Sequence, residues 1–170
     1  MKGEKTLFLS LEEPVGQIKH MLDSLGMDYK MLGDKFQIDS YIPEALTPLH
    51  YYKAIRNILV NLKPTILAVD SISAMQHKFP PADFIQFMRY LQLLCKERNL
   101  TVFLTSTTGA LETVASSGIS TLADNIIMMR YYELKDRLAR EMLVVKTRGS
   151  SHDKQIRTFE TTDKGIVISI

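Results

Sequence analysis

Cysteine is almost missing from this chain: Cys95 is the only one in 170 residues. A single thiol excludes an intrachain disulfide and a thiolate metal cluster. It stands beside Leu91 and Leu94 in a helical pattern, the setting of a buried, inert thiol. Long apolar runs are missing too. Met1-Lys2-Gly3-Glu4-Lys5 leads into a short strand-like run, not a signal peptide or spanning segment, so a cytoplasmic protein with no membrane partner is expected. An excess of one sign of charge is missing as well: a net +2 without a long basic run argues against nucleic acid as a partner. His20, His50, His77 and His152 lie far apart, without paired metal-ligand spacing. No Ser–His–Asp or Cys–His arrangement, repeat, low-complexity tract or interdomain linker stands out. What remains is an ordinary globular composition, 45% apolar and 24% charged. Its length suits a single domain over residues 1–170 with a real core.

The organising stretch is Thr65-Ile66-Leu67-Ala68-Val69-Asp70-Ser71. A short unalternating apolar run after the Lys63-Pro64 breaker predicts a strand buried on both faces, inside a parallel sheet. Ligands of such sheets bind beyond the carboxyl ends of the strands, where Asp70 stands. An acidic residue there either holds the magnesium of a nucleotide or caps a turn.

Around that strand the pattern alternates. Thr6–Leu11 predicts a strand delivering Glu12 and Glu13, and Pro14 opens a helix whose buried face is Ile18, Met21, Leu22 and Leu25. Phe36 and Ile38 suggest a short strand. Pro48 starts a helix with Tyr52, Ile55, Leu59 and Leu62 on one stripe, ending before Pro64. Residues 71–80 read as a loop and Pro81 begins a strong helix. Leu100–Leu104 reads as another buried strand, ending in Thr105-Ser106-Thr107-Thr108. Strand–helix–strand alternation predicts an α/β fold with a parallel sheet and right-handed crossovers. Gly109–Thr121 reads as an exposed loop. The carboxyl third is antiparallel in pattern: strands at Asn125–Tyr132 and Met142–Lys146 joined through Glu133–Arg140, then Gln155–Phe159 and Ile166–Ile170 around Asp163-Lys164-Gly165.

If the strands ending in Glu12-Glu13, Asp70 and Thr105-Ser106 are parallel neighbours, their tips share one crevice. That set suits phosphoryl transfer: Asp70 for magnesium, a glutamate to take a proton, a polar group to sense the γ-phosphate. Taken alone, Glu12-Glu13 is equally a charged pair favoured by the dipole of the following helix. A second constellation is Lys146-Thr147-Arg148-Gly149-Ser150-Ser151-His152. Lys146 and Arg148 share strand parity, and two cations with a histidine can grip phosphate oxygens or form a solvated strand end.

As a set, several stretches resemble the KaiC-like branch of RecA-type ATPases. They are Lys2-Gly3-Glu4 with Leu9–Pro14, Val69-Asp70-Ser71, Gly118–Asp124, Lys146–Asp153 and Thr162–Ile166. The resemblance implies a RecA-like sheet-based ATPase that assembles into a homo-oligomer, a hexameric ring, with ATP and Mg2+ at subunit boundaries. It implies Glu12 and Glu13 as catalytic glutamates, Asp70 as the magnesium residue, and Lys146, Arg148 and His152 reaching the neighbour's nucleotide. In clock proteins of the family, the region matching Ser120 and Thr121 is phosphorylated, which makes this pair candidate phosphorylation sites of an autokinase. A Ser-Thr pair in a loop is otherwise a turn or a cap.

The family pattern also includes a strand, a G-x-x-x-x-G-K-[ST] loop and a helix before the stretch matching Lys2-Gly3-Glu4. This sequence contains no such motif; Lys164-Gly165 is the nearest approach. Those backbone amides and that lysine grip the β- and γ-phosphates, so ATP binding by these 170 residues alone is expected to be weak or lost. The strand of that unit normally lies between those matching Leu100–Leu104 and Asn125–Tyr132. Two apolar edges are therefore expected, closed by direct pairing or by strand exchange in a dimer. Two rivals to an ATPase are a non-catalytic oligomerisation or signalling module and a RecA-type recombination protein. The Gly109–Ser117 loop carries no Lys or Arg for DNA phosphates, which disfavours the last.

Overall fold

The protein is described here by a computed structural model over residues 3–41, 47–107, 118–163 and 165–169. The chain divides into two compact units, Met1–Thr108 and Gly109–Ile170, each with its own sheet.

The first unit runs β1 (Thr6–Ser10), α1 (Val15–Ser24), a 3-10 segment Tyr29–Lys35, β2 (Phe36–Ser40), α2 (Pro48–Leu62), β3 (Ile66–Asp70), α3 (Ser73–Lys78), α4 (Pro81–Glu97) and β4 (Thr101–Leu104). Its four strands lie in the order β2-β1-β3-β4, all parallel. The step from β1 to β2 runs one way along the sheet, and those from β2 to β3 and β3 to β4 run the other. Right-handed crossovers therefore put α1 on one face and α2 with α4 on the opposite face. Tyr52 and Tyr90, 5.9 Å apart, mark where α2 meets α4.

Register explains the core. Leu7, Leu9, Leu67 and Val69 point to one face and are almost wholly buried. Tyr51, Ile55 and Leu59 of α2 and Phe84, Phe87, Met88, Leu91, Leu94 and Cys95 of α4 are buried too. The buried stripe of α2 thus uses Tyr51, whose ring meets Phe79 edge-on at 6.0 Å, instead of Tyr52. The second face is less covered. Ile18 of α1 and Ile38 of β2 are buried, but Ala68 is half-buried and Phe103 is 60% exposed. The expectation that β3 is buried on both faces therefore fails for one face, and β4 is a partly exposed edge strand. Met21 and Leu25 are likewise exposed, because α1 buries Ile18 alone. Residues 73–78, expected to be loop, form α3 because Ile72, Met75 and Phe79 are buried at helical spacing.

Cys95 is 3% exposed, and burial pushes its thiol up to about 11. Native chain at pH 8 is expected to react with a disulfide reagent about two orders of magnitude more slowly than unfolded chain, since the thiolate is the nucleophile. Rapid stoichiometric labelling of the folded protein would contradict this. A second expectation concerns Lys63, which ends α2 in the left-handed region at φ 49°. Lys63→Gly is expected to stabilise the unit by about 0.5–1 kcal/mol. A higher urea midpoint checks it, and a lower one would reveal a role for the lysine side chain.

The second unit runs α5 (Ile119–Leu122), β5 (Asn125–Leu134), β6 (Arg137–Thr147), β7 (Arg157–Thr162) and β8 (Gly165–Ile168), with an antiparallel sheet in that strand order. The Glu133–Arg140 link is shorter than expected. Both strands continue through it to a turn at Lys135-Asp136, and Arg140 lies over the Tyr131 ring at 5.2 Å. The short helix α5 replaces part of the expected loop, whose portion Gly109–Ser117 lies outside the described residues. β4 is an edge strand of the first unit's sheet and β5 an edge strand of the second unit's sheet.

Candidate functional site

In the first unit the direction of the crossovers reverses between β1 and β3. In open α/β sheets, ligands usually bind at such a reversal, beyond the carboxyl ends of the two strands. Ser10 and Asp70 are register partners there, and Leu11 N donates to the Asp70 carbonyl at 2.7 Å. The backbone thus brings Glu12, Asp70 and Thr105 to one rim.

Side chains tie the rim together. Ser71 Oγ donates to Glu12 Oε1 at 2.6 Å, and Thr105 Oγ1 donates to Asp70 Oδ1. Ser10 Oγ accepts from the Glu13 amide at 2.9 Å, and Ser40 Oγ donates to the Glu13 carbonyl at 2.8 Å. Glu13 is therefore held by its backbone, whereas Glu12 is held by its carboxylate. In the sequence Ser71 stood out only as part of a matching stretch, without a role, and Ser73 was not marked at all. Ser73 is 2% exposed; its Oγ accepts from Thr107 N at 2.8 Å and Thr107 Oγ1 at 3.0 Å and lies 3.3 Å from Ser106 Oγ. With Ile72 N donating to the Thr105 carbonyl at 3.0 Å, Ser73 staples the β3–α3 turn to the tail of β4. The available signal was two small hydroxyl residues just past the carboxyl end of the central strand.

The donors on this rim are hard oxygens: the Asp70 and Glu12 carboxylates and the Ser71 and Thr105 hydroxyls. That chemistry suits Mg2+, which is usually held by one or two carboxylates together with substrate phosphates. Among the described residues no group of three or more His, Cys, Asp or Glu side chains could cage a metal alone.

The second constellation lies in the second unit. Lys146, near the end of β6, donates from Nζ to the Ser120 carbonyl at 2.6 Å and the Ala123 carbonyl at 2.8 Å. Arg148 donates from Nη2 to the Thr121 carbonyl at 2.9 Å and pairs through Nη1 with Asp124 Oδ1 at 3.0 Å, its side chain 49% exposed. Gly149 follows at φ +79°, where a side chain would be strained although space is open. His152 is half-buried just beyond. The hydrogen bonds from Arg157 and from the Gln155 amide hold the neighbouring Asp153 below the usual carboxylate range, with His152 a minor contributor. The Ser120–Thr121 pair lies on α5, and Thr121 Oγ1 donates to the Gly118 carbonyl at 2.7 Å.

A family model described as "ATPase: KaiC" matches residues 1–170. The chain belongs to the KaiC ATPase family. It is 31% identical over 172 residues to the circadian clock oscillator protein KaiC of Thermostichus vulcanus, covering 98% of this chain and 33% of that protein. Against the circadian clock protein KaiC3 of Synechocystis sp. it is 31% identical over 171 residues, covering 98% of this chain and 34% of that protein. Against the oscillator protein KaiC of Picosynechococcus sp. the identity is 30% over 173 residues, 98% of this chain and 33% of that protein. The chain thus spans about a third of the length of the KaiC relatives it matches. Its parallel four-stranded sheet flanked by helices, with an antiparallel sheet after it, is that of a RecA-like ATPase domain. Among the described residues no helix is long and apolar enough to cross a membrane.

Proposed function

We propose that this chain is part of an ATP-hydrolysing domain in which Asp70 and Glu12 serve one nucleotide site. The observation that carries the reading is the shared rim: Ser71 fixes the Glu12 carboxylate beside the strand tip that presents Asp70, while Thr105 orients Asp70 from the other side. In this reading Asp70 and its hydroxyl neighbours hold Mg2+, which neutralises phosphate charge when bound. Glu12 accepts the proton of the attacking water, and Ser71 keeps its carboxylate aimed. Glu13 shapes the turn through its backbone. Thr105 and Ser106 sense the γ-phosphate.

Lys146, Arg148 and His152 act in trans on the nucleotide of a neighbouring subunit in a ring. Ser120 and Thr121 are the acceptors if the ring is also an autokinase. Family membership supports both readings, and Arg148 keeps about half of its side chain exposed while bonded to its own chain. The rival is a non-catalytic module that keeps the fold and the oligomer interface. Its support is the lack of a G-x-x-x-x-G-K-[ST] motif in these 170 residues.

Magnesium-dependent ATP hydrolysis separates the two. The chain alone is expected to show none, and a polypeptide joining it to a family strand–loop–helix segment is expected to hydrolyse ATP. Failure of the joined polypeptide, folded and ATP-bound, would favour the non-catalytic module.

A further inference from the structure

The cations at the end of β6 contact carbonyls of the short segment 118–124. Helix α5 is a single turn of four residues, too short to be stable alone. Its carbonyls lack enough intrahelical donors, as at any helix end. Ile119 and Gly118 carbonyls accept from the Ala123 and Thr121 amides. The Ser120, Thr121 and Ala123 carbonyls instead receive Lys146 and Arg148. Asp124 adds an ion pair to Arg148, and the Arg148 amide donates to the Asp124 carbonyl at 2.8 Å. Every one of these contacts lies inside the second unit.

We propose that Lys146 and Arg148 are a latch with two alternative sets of partners. Without an anion they hold residues 118–124 by its carbonyls; a polyphosphate takes the two side chains and releases that segment. The inference rests on the reading that these cations grip phosphate oxygens, and adds what that grip does to their own chain. Bonds from an ammonium or guanidinium to phosphate are stronger than bonds to neutral carbonyls. Lys146 has three donors on one nitrogen and two already go to the Ser120 and Ala123 carbonyls, so a phosphate that takes more than one of them breaks a carbonyl contact. Arg148 must leave Asp124, whose carboxylate repels the anion, so the two states compete. Release also frees the Thr121 hydroxyl from the turn it closes on Gly118.

Hydrogen exchange of the Thr121, Ala123 and Arg148 amides, followed by NMR on the 170-residue chain, tests this. The Lys146→Met/Arg148→Gln double variant should exchange about tenfold faster at these amides, with β5–β6 amides such as Met129 and Met142 unchanged as the check on folding. Arg148→Lys, which keeps the charge and loses the fork, should fall between. Sodium tripolyphosphate at constant ionic strength should accelerate wild-type exchange to a similar level and leave the double variant unmoved. Variant exchange within twofold of wild type would overturn the latch. A wild type indifferent to tens of millimolar tripolyphosphate would overturn the exchange of partners. A response to tripolyphosphate in a protein whose joined polypeptide never binds ATP would sink the nucleotide reading and leave the latch standing.

Discussion

Glu12→Gln is expected to lower kcat for ATP hydrolysis roughly a thousandfold in a polypeptide that supplies the phosphate-binding loop, from the range for loss of general-base catalysis. The substitution is nearly isosteric. A glutamine carbonyl still accepts from Ser71 Oγ, so the turn after β1 keeps its shape and only proton acceptance is removed. Glu13→Gln should stay within tenfold of wild type, because the structure ties Glu13 down through its amide and carbonyl. Ser71→Ala should fall between the two, since it frees the Glu12 carboxylate without removing it. Steady-state kinetics with Mg2+ at saturating ATP gives the ranking. If Glu13→Gln proves the crippling change, the base is Glu13 and the Ser71 contact is structural.

Leu67→Ala should destabilise the first unit by about 3–4 kcal/mol. Leu67 is wholly buried in β3, between β1 and β4, on the face where Leu7, Leu9 and Val69 gather. Truncation removes transfer free energy and leaves a cavity that parallel strands pinned on both sides cannot close. For a unit of about this size the loss corresponds to a fall in Tm on the order of 15 °C. Ile127→Ala is the control, because Ile127 is 63% exposed on β5 and should cost less than about 0.5 kcal/mol. Calorimetry of the two variants decides; a loss below 1 kcal/mol at Leu67 would mean that this face is not the core.

The rim was legible in part because parallel sheets obey a local rule. Strands with short apolar runs end at the same side, so carboxylates placed just after them gather whichever neighbour each strand takes. Glu12, Asp70 and Thr105 follow that rule. Ser73 was hidden because its importance comes from contacts with Ser106 and Thr107, more than thirty residues away. The Lys146–Arg148 pair was legible as a cationic edge, but its carbonyl partners were not, since nothing in a strand pattern tells which backbone a lysine will reach.

By itself the sequence determined the kind of each long element, the strand ends that carry carboxylates, and the family, because period and punctuation are local and many weak motifs agreed. Only the tertiary structure decided which strands are edges, which face of the sheet is packed, which glutamate is gripped by its carboxylate, and what the two cations hold. Those outcomes depend on pairing order and on side chains meeting across long sequence separations, where burial and hydrogen-bond geometry choose among arrangements that local patterns leave equal.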